Sequence, residues 1–272
     1  FIPKDSTDRN RTSPFAFTGN KFEFRSLGSS LSISGPNTTL NAIVANTLKQ
    51  FADELEKAKD FENSLHKLIR REITEHWKII FNGNGYDASW VEEAQQRGLL
   101  NLKTLPDAMA EYLNPKNIKL FTDMGVYTQI EMESHYDIKL EKYCQVLNIE
   151  VETMLEMINK DILPAVFKYM NAISDTVIKV KQAFPEAECS AEKILLQKLD
   201  SHVNNLSKKA DEIWIKHNEA NKLTNIMECA KAYANEILPA MEEARYFADE
   251  MEPLLGEEYK PFPSYEDLLF RI

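Results

Sequence analysis

From about residue 146 to residue 251, apolar side chains recur at helical spacing with almost no interruption, and this dictates most of what the chain can become. Val151, Met154, Leu155, Ile158, Ile162, Ala165, Val166, Tyr169, Ile173, Val177 and Val180 share one face if the segment is an α-helix. Phe184-Pro185 ends that helix, and Ser190 is placed to cap the next one. There Leu196, Leu199, Val203, Leu206, Ala210, Ile213, His217 and Ala220 alternate steps of three and four, a coiled-coil-like seam. A third helix is expected over about 222–251, through Leu223, Ile226, Met227, Ala230, Ala234, Ile237 and Met241. Short connections between such segments predict antiparallel neighbours.

The first 35 residues obey a different period. Phe15-Ala16-Phe17 and Lys21-Phe22-Glu23-Phe24-Arg25 alternate as strands do, and Thr18-Gly19-Asn20 between them suits a β-hairpin connection. After Pro36 the period lengthens to about 3.6 residues. Leu40, Ile43, Val44, Thr47, Leu48, Phe51 and Leu55 form one stripe, and Leu65, Leu68, Ile69, Ile73, His76, Trp77 and Ile80 form the next. Asn82-Gly83-Asn84-Gly85 reads as the stop of that helix. Short helices are expected near 88–97 and 106–113. The fold class expected is therefore α+β and predominantly α, a short β-hairpin followed by long antiparallel helices. Ile-Leu-Pro-Ala occurs at 162–165 and again at 237–240. The absence of wider similarity favours coincidence and a tolerated kink over an internal repeat.

Charge narrows the function. A net charge of -11 argues against a non-specific nucleic-acid binder and against a binder of anionic membranes, both of which need a basic face. No run approaches the length of a membrane span. Cys144, Cys189 and Cys229 show no paired spacing, which suits a reducing, cytoplasmic setting with inert thiols. The sequence opens at Phe1 within what reads as a continuing chain, and a piece of a longer polypeptide is the expectation, although processing would look the same.

The segment with chemical content is 21–25. Alternation sends Lys21, Glu23 and Arg25 to one face of a strand and Phe22 and Phe24 to the other. A carboxylate there can ligate a hard divalent cation. Flanking cations can neutralise phosphoryl oxygens during transfer. The same alternation arises on any amphipathic edge strand with cross-strand ion pairs, and spacing alone favours that reading. Elsewhere, His66 and His76 are ten residues apart and share no metal-binding helix face. His217 lies on the seam, where a hydrogen-bonded core histidine is commoner than a ligand. The methionines read as core filler, and the acidic run from Glu242 to Glu258 as a solvated face or an oligomer contact.

A resemblance changes the weighting. Asn10-Arg11-Thr12-Ser13-Pro14-Phe15-Ala16-Phe17, then Lys21 to Arg25, then Gly28-Ser29-Ser30 through Ser34-Gly35-Pro36-Asn37-Thr38, resemble the closing part of a glutamine synthetase catalytic domain, in particular of the type III branch. Ile80 to Tyr86, Asn101 to Thr104, Leu105-Pro106-Asp107-Ala108-Met109, Gly125-Val126-Tyr127 and Pro261-Phe262-Pro263-Ser264-Tyr265 are similar to later segments of that branch. The resemblance implies an ATP-dependent glutamate–ammonia ligase of glutamine biosynthesis, working through γ-glutamyl phosphate with Mg2+ or Mn2+. It implies that Glu23 ligates the metal on the nucleotide phosphates and that Arg25 contacts glutamate and the transferring phosphoryl group. Lys21 and Arg11 would lie by ATP. Lysine at 21, where the family more often has arginine, keeps the charge but loses bidentate bonding. His135 also stands where arginine is expected. Residues 1–145 would be the C-terminal portion of the catalytic domain and 146–272 the helical extension of the type III kind. The hairpin would belong to the end of the catalytic sheet. The full-length protein would be a homo-oligomer, a dodecamer of stacked hexameric rings, with L-glutamate, ammonium and ATP as substrates. The fragment alone is expected to be inactive. The rival reading is a non-enzymatic helical interaction or oligomerisation module, which the seam and the acidic surface suit equally well.

Overall fold

The computed structural model describes residues 15–17, 22–24, 28, 31–81 and 87–270. The expected α+β class is corrected to a helical one. Among the described residues the only extended pairing is between two strands of three residues each, β1 (Phe15–Phe17) and β2 (Phe22–Phe24), hydrogen-bonded only to each other. Six paired residues make no layer, and no catalytic sheet accompanies them among the described residues. Every other element is helical.

The chain divides into two compact units. Residues 1–103 with 112–132 form the first, and 104–111 with 133–272 form the second. In the first unit, α1 (Ser34–Leu55), α2 (Phe61–Glu75), α3 (Ala88–Gln96) and α5 (Pro115–Asp123) supply the helices. Between α3 and α5 the chain forms α4 (Leu105–Tyr112), most of which belongs to the second unit. The helix starts follow local chemistry. Asp60 accepts from the Asn63 amide, Asp87 from the Ser89 amide, and Asn114 from the Lys116 amide ahead of Pro115. Ala42, Phe121 and Met132 form the buried cluster, flanked by Tyr112, Leu113, Ile118 and Tyr127. Arg71 of α2 holds Glu54 of α1 through two hydrogen bonds of 3.1 and 2.9 Å. Arg97 donates to the Ile80 carbonyl at 2.9 Å and lies 5.3 Å over the Trp90 ring, fixing α3 against the preceding segment.

The second unit is built on long helices. α6 (Gln129–Met157) leads through a π turn, Ile158–Ile162, into α7 (Leu163–Ala183). α8 (Ser190–Ala220) returns antiparallel, and α9 (Ile226–Ala232), a second π turn (Tyr233–Ile237) and α10 (Leu238–Met251) follow. A short α11 (Tyr265–Phe270) comes near the end. The seam expected on α8 is its buried face: Leu199, Val203, Leu206, Ala210, Ile213, His217 and Ala220 are all buried. Its antiparallel register against α9 and α10 shows in His217 beside Tyr233, Lys209 paired with Glu243, and His202 facing Phe247.

Both π turns sit immediately before the repeated tetrapeptide's Leu-Pro. A proline inside a helix lacks the N–H for the bond four residues back, and its ring crowds that carbonyl. Here one extra residue is looped out in each case. The amide before each proline bonds five residues back, Leu163 to Ile158 and Leu238 to Tyr233. The same sequence thus produces the same backbone device twice.

The helix expected to start at a Ser190 cap instead has Cys189 at the N-cap, with a left-handed backbone (φ 48°) and no side-chain capping bond. That conformation costs an L-residue ~1–2 kcal/mol. Cys189→Gly is therefore expected to raise stability by up to ~1 kcal/mol after glycine's greater unfolded-state entropy is subtracted. Urea denaturation monitored by circular dichroism would measure it, and a lower midpoint would contradict the strain.

Candidate active-site segment

Of the four residues singled out for chemistry, one lies within a described element. Glu23 is the central residue of β2, and the antiparallel register sets it opposite Ala16. Phe15 stands opposite Phe24, and Phe17 opposite Phe22. On a pleated pair, directly opposed residues share a face and successive residues alternate. The four phenylalanines therefore occupy register positions of one kind and the Glu23–Ala16 pair the other. Arg11, Lys21 and Arg25 lie outside the described residues, as does the Asn82 to Gly85 helix stop.

A carboxylate is the right donor for a hard divalent ion, so Glu23 fits the metal that the resemblance implies. It supplies one ligand where Mg2+ takes near-octahedral oxygen coordination. Among the described residues, the other close grouping of ligand-type side chains is Glu72, Glu75 and His76 at the end of α2, and it is solvent-facing. Two of its three groups already have partners. Glu72 accepts from Arg71 and lies 3.4 Å from His76.

The second unit holds a polar cluster around the buried His217 and Tyr233, which the sequence marked only as a core histidine. His217 Nδ1 is 3.2 Å from the Tyr233 hydroxyl, and His217 Nε2 is 3.2 Å from the Asn221 amide nitrogen. The Asn221 amide also donates to Asn148 Oδ1, and Tyr233 donates to Asn221 Oδ1 at 3.1 Å. Donor counting closes the ring in one way. Asn221 donates to a bare Nε2, the proton sits on Nδ1, and Nδ1–H donates to Tyr233. Every member is satisfied with a neutral imidazole, so this is a structural lock rather than a ligand set.

Burial pushes the His217 pKa down, and the charge of Glu152, 3.9 Å away, opposes this more weakly. The unfolded chain therefore takes up this proton first, near its ordinary value of ~6.5. The stabilisation is complete above that pH and is lost as pH falls below it, by at most ~1.4 kcal/mol per unit. Thermal melts at pH 7.5 and 5.5 are expected to show this slope, and His217→Gln is expected to flatten it. Burial likewise pushes the Cys144 thiol up to about 12, with Cys229 beside it adding to the effect, so it stays an inert thiol.

Comparison with known proteins identifies the class. Residues 64–181 match the family model described as the glutamine synthetase C-terminal domain. A glutamine synthetase from Butyrivibrio fibrisolvens is 38% identical over 280 residues, covering 99% of this chain and 39% of the relative. A type-3 glutamine synthetase from Dictyostelium discoideum is 41% identical over 179 residues, 65% of this chain and 24% of the relative. A glutamine synthetase from Bacteroides fragilis is 31% identical over 274 residues, 98% of this chain and 38% of the relative. The chain belongs to the glutamine synthetase family. It spans about two fifths of the length of the bacterial relatives it matches. The family-model match begins downstream of the hairpin, so it does not bear on Glu23 and its neighbours. Among the described residues, no helix is long and apolar enough to cross a membrane.

Proposed function

We propose that this chain is part of an ATP-dependent glutamate–ammonia ligase, acting in glutamine biosynthesis in the cytoplasm. The observation that carries the reading is the 38% identity to a glutamine synthetase across 99% of the chain. In this reading residues 1–145 complete a catalytic domain, and 146–272 are a helical extension that serves assembly into a homo-oligomer of stacked rings.

The chemistry proposed is two displacements. A γ-carboxylate oxygen of glutamate attacks the terminal phosphorus of ATP, and ADP leaves. Ammonia then attacks the acyl carbon of γ-glutamyl phosphate, phosphate leaves with the former carboxylate oxygen, and the extra proton passes to solvent or a base. Glu23 would hold the Mg2+ or Mn2+ whose bound form neutralises nucleotide phosphate charge. Arg25 would orient the glutamate carboxylate and stabilise charge on the phosphoryl oxygens as it moves. Arg11 and Lys21 would hold ATP phosphates, Lys21 as a point charge without a planar fork.

Oxygen tracing tests the sequence of steps. With glutamate labelled by 18O in its γ-carboxylate, the polypeptide carrying this chain and the rest of the family's length is expected to release one labelled oxygen in each phosphate. Glutamine formed with unlabelled phosphate would rule out the acyl phosphate route.

A further inference from the structure

The second unit contains an apolar cavity of about 290 Å³ beside its first π turn. Met154, Met157, Ile158, Met251, Leu255 and Phe262 supply most of the wall. An apolar cavity of about 150 Å³ holds benzene, so this one has room for an apolar body of roughly eight to twelve carbons. Three of the wall residues are methionines, whose unbranched side chains re-pack around an incoming apolar group.

The two π turns share a sequence and a backbone device but differ in cover. Ile237, the last residue of the second turn, is fully buried. Its counterpart Ile162 is partly exposed and lines the cavity, as does Ile158 at the other end of the first turn. The device is thus packed over at 233–237 and borders open space at 158–162. π turns within helices recur at functional sites.

The charged groups of the cavity all come from one stretch of chain. Arg245, Asp249 and Glu252 follow one another at helical spacing along the end of α10 and into the turn after it, and all three are exposed. Arg245 is held by Asp249 at 3.2 Å, and Lys260, which senses Glu252, is held by Glu257 at 2.7 Å. Three carboxylates against two cations leave the mouth negative, and the net charge of -11 on the chain has the same sign. A positive head group is complementary to this mouth, whereas an anionic one meets like charge.

We propose that this cavity binds a small amphipathic cation, an alkyl- or arylammonium. Its apolar body would lie against Met154, Met157 and Met251, and its ammonium group would face Asp249 and Glu252. The site lies apart from Glu23, and the proposal does not rest on the ligase reading.

Octylammonium chloride tests this, with octanoate and octanol as charge controls, on this chain and on the longer polypeptide carrying it. Calorimetric titration is expected to show saturable binding, severalfold tighter for octylammonium than for octanoate. Hydroxyl-radical labelling read by mass spectrometry is expected to fall severalfold at Met154 and Met157 when octylammonium is bound, and to stay unchanged at Met227. Glu252→Gln is expected to shrink the preference over octanoate and to leave octanol binding as it was. Ala248→Phe, which sets a ring in the cavity, is expected to abolish binding of all three; if that variant does not fold, Glu252→Gln decides. Equal affinity for octylammonium and octanoate overturns the proposal, as does protection of every methionine in parallel, which is detergent action. Two other occupants are tested without any added amine. Protection of Met157 that deepens with protein concentration assigns the cavity to a second copy, and a rise in its labelling when residues 265–272 are removed assigns it to the chain's own α11. Either result overturns the proposal, and so does binding to this chain but not to the longer polypeptide.

Discussion

Glu23→Ala, made in the longer polypeptide, is expected to lower ATP-dependent glutamine formation by roughly two to three orders of magnitude. It removes a carboxylate from a position that the register pairs with Ala16 rather than with a cation. If Glu23 were only half of a cross-strand ion pair, its loss would cost ~0.2–1 kcal/mol of stability and leave the chemistry intact. Nucleotide affinity separates these cases. Calorimetric titration with ATP and Mg2+ is expected to show strongly weakened binding by the alanine variant, with the circular dichroism of the wild type retained. Near-normal activity would remove Glu23 from the site. Arg25→Ala is expected to follow a different pattern, losing turnover more than ATP affinity. A loss of stability alone would return the strand to the ion-pair reading.

The second large effect belongs to the bundle. Tyr233→Ala is expected to destabilise this chain by ~3–5 kcal/mol, since a fully buried aromatic ring is lost at a π turn. The phenol also accepts from His217 and donates to the exposed Asn221, so its removal leaves the buried His217 Nδ1 without a partner. Tyr233→Phe isolates that second part and is expected to cost ~1–3 kcal/mol. The two variants together divide packing from hydrogen bonding. Urea midpoints measure both, and equal losses in the two would show that the ring itself contributes little.

What the sequence discloses varies by element for physical reasons. The α8 seam was readable because steps of three and four from Leu199 to Ala220 leave one face apolar, and every one of those positions is buried. The start of α6 at Gln129 was missed. Its signal is a capping box, in which Thr128 and Glu131 bond reciprocally, rather than an apolar stripe. The π turns were hidden for a related reason: one extra residue shifts the period without breaking it, and only the paired prolines marked the place. The rows on α1 and α2 show a different limit. Their spacing reads as a core face, yet Ile43, Val44, Leu48, Ile69, Ile73 and Trp77 are exposed.

The candidate site was readable only as a pattern. Alternation at 21–25 placed Glu23 between phenylalanines, and β2 places it so. No spacing rule could raise one carboxylate above an ordinary edge-strand residue. That step came from resemblance, which the kinship to glutamine synthetases now supports. Most of the described residues build helices around an inert core, with Cys144 buried and His217 locked neutral, and one metal-type carboxylate is supplied upstream of them.

The most direct measurement is glutamine formation from glutamate, ammonium and ATP, made side by side on this chain and on the polypeptide carrying it with the rest of the family's length. The account predicts no product from this chain alone and one phosphate per glutamine from the longer protein. Comparable synthesis by this chain alone, or none by a folded longer protein, would contradict it.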